Sequence, residues 1–257
     1  MPRFAANLSM MFTEWNFLDR FAAARDAGFK AVEYLFPYEH PPEVIAERLR
    51  RNGLQQVMFN LPPGDWSIGE RGLAALPERW DEFRASVDLA LSYARATGAK
   101  RLHMMSGLGS RSDAAAMASY RRAATHAAAA LAAEGVDLLI EPINPRDMPN
   151  YFLNDFAFAA EFIAGAGLSN LRLQFDIYHR QILHGDVLTA LRAMLPIIGH
   201  VQIAAAPARH EPGSGELADA FIFAELDRLG YAGFVGCEYR PAGKTPDGLG
   251  WFAPYRV

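Results

Sequence analysis

Four short apolar runs in the second half of the chain decide the fold, because each of them ends on a side chain that carries an oxygen ligand. The runs are VDLLIE (Val136–Glu141), LRLQFD (Leu171–Asp176), IIGHVQ (Ile197–Gln202) and FVGCE (Phe234–Glu238). Their spacing suits one strand–helix–strand repeat each, which takes roughly 30 residues. We therefore predict four neighbouring parallel strands whose carboxyl ends bring these four side chains to one place.

The rest of the chain continues the alternation of strand and helix. The further predicted strands are Phe4–Leu8, Phe29–Phe36, Leu54–Asn60 and Lys100–Gly107. The predicted helices are Phe17–Gly28, Pro41–Gly53, Glu78–Gly98, Ser112–Gly135, Asn154–Gly167, His184–Leu195 and Leu217–Gly233, with a short last piece near Leu249–Phe252. Eight such units predict an α/β fold, a single (β/α)8 TIM barrel domain spanning residues 1–257. A doubly wound open sheet is the alternative.

Composition narrows the classes of function. The chain has 257 residues, a formal net charge of −4 and one cysteine, Cys237. The negative charge gives no general attraction for nucleic acid or an anionic membrane surface. A lone cysteine cannot form an internal disulfide, and the sequence contains neither a signal-like apolar segment nor a run long enough to span a bilayer. We expect a cytoplasmic protein that acts on a small molecule.

The four strand-end residues predict a metal centre. In a (β/α)8 barrel the catalytic residues lie at the carboxyl ends of the strands. Glu141, Asp176 and Glu238 would repel one another there, and a divalent cation would remove that repulsion. Together with the amide oxygen of Gln202 they form an all-oxygen ligand set, which favours Mg²⁺ or Mn²⁺. The alternative is that each residue only caps a helix or meets solvent.

This arrangement suits one kind of chemistry. A metal between carboxylates can polarise a carbonyl and its neighbouring hydroxyl, and so stabilise the enediolate that forms when a C–H proton leaves. One carboxylate takes the proton, and either the same group or the other returns a proton to the adjacent carbon. The expected reaction is aldose–ketose isomerisation, or epimerisation when the proton returns to the same carbon.

Several motifs together resemble one known family. The strings are NLSMMF, NLPPGDWSIGERG, IEPIN, QFDIYH, HVQIA, RHEPGSGE and GCEY. In this order and spacing they resemble the hydroxypyruvate isomerase family, part of the xylose-isomerase-like barrels, over nearly the whole chain. The resemblance implies interconversion of hydroxypyruvate and 2-hydroxy-3-oxopropanoate. It also implies that Glu141 and Glu238 are the acid/base pair and that both bind the metal together with Asp176 and Gln202.

The resemblance leaves alternatives open. Enzymes of similar sequence act on four-carbon 2-oxo acids, and ketose 3-epimerases use the same metal logic, although they usually have histidine in place of Gln202. A DNA-repair endonuclease of the same barrel type would need a histidine-rich zinc cluster and a basic groove. A binding protein without chemistry is the last alternative. Members of the family often associate, which leaves a homo-oligomer open.

Four further residues are candidates for binding the substrate. An acid substrate needs a local cation, and Arg71 and Arg209 lie in loops at the predicted mouth of the barrel. His179 follows Asp176 in an Asp-x-x-His pattern, and the related sugar isomerases and epimerases place this histidine against the substrate. Glu211 could orient a ligand or Arg209. The long Gly/Pro-rich segment Leu61–Pro77, which contains Arg71, is predicted to be a lid or binding loop.

Overall fold

The computed structural model describes residues 1–256 and contains one curled, all-parallel sheet. Its strands are β1 (Arg3–Asn7), β2 (Ala31–Glu33), β3 (Gln55–Gln56), β4 (Phe59–Asn60), β5 (Arg101–His103), β6 (Asp137–Ile140), β7 (Leu171–Asp176), β8 (Ile198–Ile203) and β9 (Phe234–Cys237). They follow one another in the order β3-β2-β1-β9-β8-β7-β6-β5-β4. Only Val57 and Met58 separate β3 from β4, so the two ends of this order are halves of one strand position.

The sheet closes on itself at this third strand position. The Val57 backbone N–H donates to the Val32 carbonyl at 2.9 Å, and the Asn60 N–H donates to the Leu35 carbonyl at 2.9 Å. On its other side β4 pairs with β5. The sheet therefore has eight strand positions and no free edge, which confirms the predicted (β/α)8 TIM barrel and excludes the open sheet.

Helices connect the strands. They are α1 (Arg20–Asp26), α2 (Pro42–Asn52), α3 (Trp80–Thr97), α4 (Ala114–Ala132), α5 (Phe156–Ala166), α6 (Ile177–His184), α7 (Val187–Met194) and α8 (Asp219–Arg228), followed by a 3₁₀ segment at Thr245–Tyr255. Most predicted helices are present within a few residues. The predicted strands at Phe29–Phe36 and Lys100–Gly107 are shorter in the structure, because strand pairing ends at Glu33 and His103 and the residues that follow belong to loops at the mouth.

The segment after β7 differs from the sequence prediction. The prediction has a single helix at His184–Leu195, whereas α6 begins directly after Asp176. The Asp176 side chain caps α6 by accepting a hydrogen bond from the Tyr178 N–H at 2.8 Å. Gly185 and Asp186 then take positive φ angles of 58° and 45° and separate α6 from α7. This N-cap holds one carboxylate oxygen of Asp176 in place and leaves the other for the site.

Two apolar clusters hold the barrel together. The large cluster lies between the sheet and the helices and includes Cys237, whose thiol is fully buried there. The small cluster consists of Ala5, Ala31, Val57, Met58, Leu139 and Phe234. Ala5, Ala31 and Leu139 each lie two residues before a polar residue of the same strand position, so they face the same side of the sheet. They therefore fill the barrel interior below those polar groups. Within residues 1–256 no helix has both the length and the apolar character needed to cross a membrane.

Candidate active site at the carboxyl ends of the strands

The structure brings the four strand-end residues together in the barrel mouth. Glu141 follows β6, Asp176 ends β7, Gln202 lies in β8 and Glu238 follows β9, and all four are buried. Parallel register places Asp176 beside Gln202 across β7 and β8. The positions agree with the expectation from the sequence, while the metal-binding and acid/base roles of these residues remain predictions.

Two amide side chains join the carboxylates. The Gln174 Nε2 donates to Glu141 Oε2 at 2.9 Å and to Gln202 Oε1 at 2.7 Å. The Gln202 Nε2 in turn donates to an oxygen of Glu238. Gln202 therefore uses one lone pair of its carbonyl oxygen on Gln174 and keeps the other, which is the lone pair that a cation would need.

Glu33 forms the floor of this network. Its Oε1 accepts hydrogen bonds from Asn7 Nδ2 at 3.0 Å and from Gln202 Nε2 at 2.8 Å, and its Oε2 lies 2.6 Å from His200 Nε2. A Cβ at Gly236 would lie 2.3–2.5 Å from this carboxylate. Glycine at position 236 therefore makes room for Glu33, and Glu33 fixes the orientation of the Gln202 amide.

Two carboxylate oxygens in the site lack a hydrogen-bond partner. They are Glu141 Oε1 and Asp176 Oδ2, and each is buried. One ligand atom from each of Glu141, Asp176 and His179 lies within 4.8 Å of the others. Burying an unpaired carboxylate oxygen is costly, and a hard cation favours such oxygens. A buried Glu/Asp/His group that could bind a metal is therefore present in the structure.

In the metal-free protein, burial raises the pKa values of the three carboxyl groups of the site. Burial raises the pKa of Glu141 well above its usual value, and the charges of Glu238 and Asp176 raise it further. Burial also raises the pKa of Glu238 to about 8 and that of Asp176 to about 6, although the Arg209 charge lowers both. Acidic groups that hold their protons near neutral pH are suited to proton transfer.

Arg209 reaches the centre of the site. Its guanidinium donates to Asp147 Oδ2 at 2.8 Å and to Glu238 Oε1 at 2.9 Å, and it lies 3.7 Å from Asp176 Oδ2. Its backbone takes a φ of 58°, a conformation that non-glycine residues rarely adopt outside functional or strained sites. Hydrogen bonds to Ala205 and Arg240 hold it there. The sequence analysis predicted Arg209 at the substrate, and the structure places it among the acid groups.

A cavity of about 380 Å³ opens above these groups. Its lining includes Glu141, Gln174, His179, Arg209 and Glu238 from the second half of the chain, and Ser9, Leu35, Asn60, Trp66, Arg71 and His103 from the first half. This size suits a small molecule of a few carbon atoms, with most of its surface enclosed.

The predicted loop Leu61–Pro77 forms one wall of the cavity. Arg71 lies flat against Trp66, with its guanidinium carbon 3.8 Å from the ring centroid. Its NH1 donates to the backbone carbonyls of Trp66 and Glu70. The Glu70 carboxylate pairs with Arg79 instead. No carboxylate of the described chain lies within ion-pairing distance of Arg71, so its charge is available to an anionic ligand.

Glu211 is the one predicted substrate residue that the structure does not bring to the cavity. It is not part of the lining, and both of its carboxylate oxygens accept from the Ala242 N–H, at 3.1 and 3.2 Å. Its partner is therefore a neighbouring loop and not Arg209.

Sequence reasoning missed four side chains that shape the site: Glu33, Asn144, Asp147 and Gln174. Gln174 could have been found, because it lies two residues before Asp176 on the same strand and so faces the same side. Asn144 and Asp147 lie in an irregular loop, where no periodic pattern indicates the direction of a side chain.

Fold and site together define a class: a (β/α)8 barrel enzyme with a buried acid cluster at the carboxyl ends of its strands. The chain belongs to the xylose isomerase-like TIM barrel family, whose model matches residues 21–255. It is 53% identical to 2-oxo-tetronate isomerase of Cupriavidus necator, over 99% of each chain, and 42% identical to hydroxypyruvate isomerase of Escherichia coli, over 100% of each. A solved structure from Brucella melitensis, described as an AP endonuclease of family 2, has 48% identity and a TM-score of 0.98 over 100% of both chains. The similarity to the named isomerases makes the chain an isomerase.

Proposed function

We propose that this isomerase is metal-dependent and interconverts hydroxypyruvate and 2-hydroxy-3-oxopropanoate. The observation that carries the proposal is the pair of unpartnered oxygens, Glu141 Oε1 and Asp176 Oδ2, buried beside Glu238 beneath a small cavity. Glu141, Asp176, Gln202 and Glu238 would hold a Mg²⁺ or Mn²⁺ ion. When bound, that ion would supply a positive charge to the substrate oxygens on which negative charge develops.

The proposed proton transfer belongs to Glu141 and Glu238. Both carboxyls are buried, and both have pKa values raised above the usual range. A carboxylate in such a place removes a C–H proton well, because it is shielded from water and matched in pKa to neutral conditions. One of the two takes the proton from carbon, and either the same group or the other delivers a proton to the adjacent carbon.

The proposed substrate carries a carboxylate, which needs a cation in the cavity. Arg209 is engaged by Asp147 and Glu238, so its charge is largely compensated. Arg71 has no acidic partner among residues 1–256 and lines the same cavity. We therefore assign capture of the substrate carboxylate to Arg71. His179 and Arg209 would contact the oxygens at the reacting end.

The second candidate is a four-carbon 2-oxo acid as substrate. It is favoured by the 53% identity to the 2-oxo-tetronate isomerase and by the room that a cavity of about 380 Å³ leaves beyond three carbons. The residues assigned to the chemistry are the same for both acids. A ketose 3-epimerase is less well supported, because those enzymes usually have histidine where this chain has Gln202.

One experiment separates these functions. The protein, loaded with Mn²⁺ or Mg²⁺, is incubated in heavy water with hydroxypyruvate, a four-carbon 2-oxo acid, fructose or tagatose, and ¹H NMR follows the loss of the C–H signal. We expect exchange and isomerisation with the short acids, and no reaction after the metal is chelated. Exchange with the ketoses alone would contradict the proposal. A separate incubation with abasic DNA tests the endonuclease alternative, and cleavage there without any isomerisation of the acids would also contradict the proposal.

The remaining predictions concern the setting of the protein. We propose a cytoplasmic enzyme whose only required partners are a small acid and a divalent cation, without nucleic acid. Size-exclusion chromatography with light scattering would show whether it forms the homo-oligomer that the family resemblance leaves open.

A further inference from the structure

Asn144 and His179 face each other at the edge of the acid cluster. The Asn144 Nδ2 lies 2.7 Å from His179 Nδ1, and both side chains are fully or nearly fully buried. Asn144 belongs to the loop after β6, and His179 lies in the first turn of α6. The proposed metal and substrate give Asn144 no role, although its side chain contacts His179 directly.

Backbone groups decide which end of the Asn144 amide points at His179. Its Oδ1 accepts hydrogen bonds from the Arg146 N–H at 3.0 Å and from the Asp147 N–H at 3.1 Å. Only the carbonyl oxygen can accept these two bonds. The amide nitrogen must therefore face His179, so the orientation of the amide is dictated by the loop.

The facing amide then fixes the proton on the imidazole ring. His179 Nδ1 lies opposite the Asn144 side-chain NH₂, and the Asn144 backbone N–H also points at it from 3.4 Å. An atom that faces two donors has to be the acceptor, so Nδ1 carries no proton. In a histidine whose Nδ1 is bare, the single ring proton lies on Nε2.

The protonated Nε2 faces the cavity side of the acid cluster. It lies 3.5 Å from Asp176 Oδ2 and 3.8 Å from Glu141 Oε1, the two carboxylate oxygens that lack a partner. A bare Nε2 there would be a natural metal ligand. A protonated Nε2 cannot bind a metal and can only donate to an oxygen.

We propose that Asn144 is a positioning residue that keeps His179 as an N–H donor to the substrate and withholds it from the metal. The loop geometry around Asn144 supports the tautomer of His179. The effect of that tautomer on metal binding and turnover rests on the proposed function as a metal-dependent isomerase. It assigns the metal to oxygen ligands alone, even though His179 lies within 4.8 Å of the ligand oxygens of Glu141 and Asp176. Asn144 thus separates substrate contact from metal binding.

The first test uses the metal-free wild-type protein and needs no activity. Long-range ¹H–¹⁵N NMR distinguishes the two neutral forms of histidine, and the His179 signals are assigned by their loss in His179→Gln. We expect a protonated Nε2 and a bare Nδ1. A proton on Nδ1 would overturn the proposal, whether or not the protein turns over any acid.

The second test reverses the amide. Asn144→Asp keeps an oxygen for the Arg146 and Asp147 N–H groups but presents a second oxygen to His179, so Nδ1 must become the protonated atom. A carboxylate behind a histidine orients its other nitrogen for metal binding. With Mn²⁺ bound, we expect pulsed EPR to detect a directly coordinated imidazole nitrogen in Asn144→Asp and none in the wild type. Asn150→Asp, an exposed change in the same loop, is the control for added charge.

Turnover gives a third, separate readout. We expect Asn144→Asp to lower kcat by about 10- to 100-fold, the range found when the hydrogen-bond partner of a histidine in a metal site is changed, while Asn150→Asp stays near the wild type. An unchanged kcat together with an unchanged His179 spectrum in Asn144→Asp would overturn the proposal. If the wild-type spectrum is as expected but no acid reacts, the proposed function fails and the assignment of the tautomer stands.

Discussion

Two buried glutamates at the carboxyl ends of different strands show what makes a carboxylate available for chemistry. Both carboxylate oxygens of Glu33, on β2, have hydrogen-bond partners, which are Asn7, Gln202 and His200. Glu141, after β6, has one oxygen held by Gln174 and the other without a partner. Both residues are almost completely shielded from solvent. The difference lies in how fully each carboxylate is hydrogen-bonded, because a satisfied group supports its neighbours and an unsatisfied one can bind a ligand.

The contrast extends to the two halves of the chain. Strands β6–β9 supply the acid groups of the site, and β1–β5 supply neutral or fully paired groups such as Asn60 and His103, together with the loop that carries Arg71. We infer a division of labour in which the second half performs proton transfer and metal binding while the first half shapes and charges the pocket. The predictions below test this division.

The largest effect should come from the acid/base pair. Glu238→Gln keeps the shape of the side chain and removes its ability to carry a proton, so we expect solvent-deuterium exchange to fall by about 10²- to 10⁴-fold, the usual contribution of general acid–base catalysis. Glu211→Gln is the matched control, because Glu211 has the same chemistry in a loop outside the cavity. Near-normal exchange in Glu238→Gln would show that its assigned role is wrong.

A second prediction concerns metal affinity. Asp176→Asn keeps an oxygen for the Tyr178 N–H but replaces the unpartnered oxygen with an uncharged NH₂ group, which cannot bind a metal. We expect the Kd for Mn²⁺, measured by calorimetry, to rise at least about tenfold, since a change even in a residue that only hydrogen-bonds to a ligand costs that much in metal sites. Asp113→Asn is the control, because Asp113 caps α4 in the same way far from the site. Equal metal affinity in the two variants would argue against ligation by Asp176.

The strand-end carboxylates could be predicted because they follow from two simple regularities. Parallel strands bring their carboxyl ends to one edge, and alternation sends every second side chain inward. Asp176, Gln202 and Glu238 needed nothing more. The sequence placed Glu33 in a strand but did not indicate its part in the site. Its three hydrogen-bond partners come from strands far apart in the sequence, and local patterns do not show such contacts.

The side-chain positions of loop residues could not be predicted, for a different reason. Arg209 reaches the acid groups through a positive φ, and Asn144 is held by two backbone N–H groups of its own turn. Glu211 has a residue type suited to a site, but its loop turns it toward Ala242. Side-chain direction in irregular segments depends on tertiary contacts that no local pattern encodes, so the sequence indicated Arg209 and Glu211 without placing them and did not indicate Asn144.

A third prediction tests Glu33 through its neighbour. Gly236→Ala puts a methyl group where the Glu33 carboxylate lies, and overpacking of this kind costs about 1–3 kcal/mol. We expect a lower midpoint in urea unfolding together with weaker Mn²⁺ binding, because Glu33 orients Gln202. Gly165→Ala in α5, where an added methyl meets nothing within 4 Å, should leave both properties unharmed. Loss of stability without any loss of metal affinity would show that Glu33 does not contribute to metal binding through Gln202.

The fourth prediction addresses the first half of the chain. Arg71→Ala should raise KM for the acid substrate by about tenfold, or roughly 1.4 kcal/mol of binding free energy, with kcat little changed. The effect should vanish with dihydroxyacetone, which has the reacting groups but no carboxylate. Arg111→Ala removes an exposed arginine that also stacks on an aromatic ring, Phe158, and serves as the control. An equal loss on both substrates would contradict a role in carboxylate capture.

The smallest effect is a dependence of stability on pH that a metal should remove. Burial raises the pKa of Glu238 to about 8 in the metal-free protein, so the folded state holds a proton that the unfolded chain has released. This contribution to stability is fully present below the usual pKa of 4.5 and is lost as the pH rises from there through about 8. His103 and His179 act only at lower pH, because burial lowers the pKa of His103 to about 3 and that of His179 well below its usual value.

Between pH 7 and pH 9 we therefore expect the metal-free protein to lose about 1.4 kcal/mol of unfolding free energy from this group, the equivalent of one pKa unit. Since that corresponds to a few degrees in Tm for a protein of this size, differential scanning calorimetry in EDTA can measure it. Glu238→Gln should reduce the slope and leave the part that comes from Glu141, whose pKa burial also raises. Saturating Mn²⁺ should reverse the slope, because a cation binds the deprotonated carboxylates. A slope of the opposite sign without metal would mean that Glu238 is stabilised as a charged group, and its assignment as a buried acid that holds a proton near neutral pH would then fail.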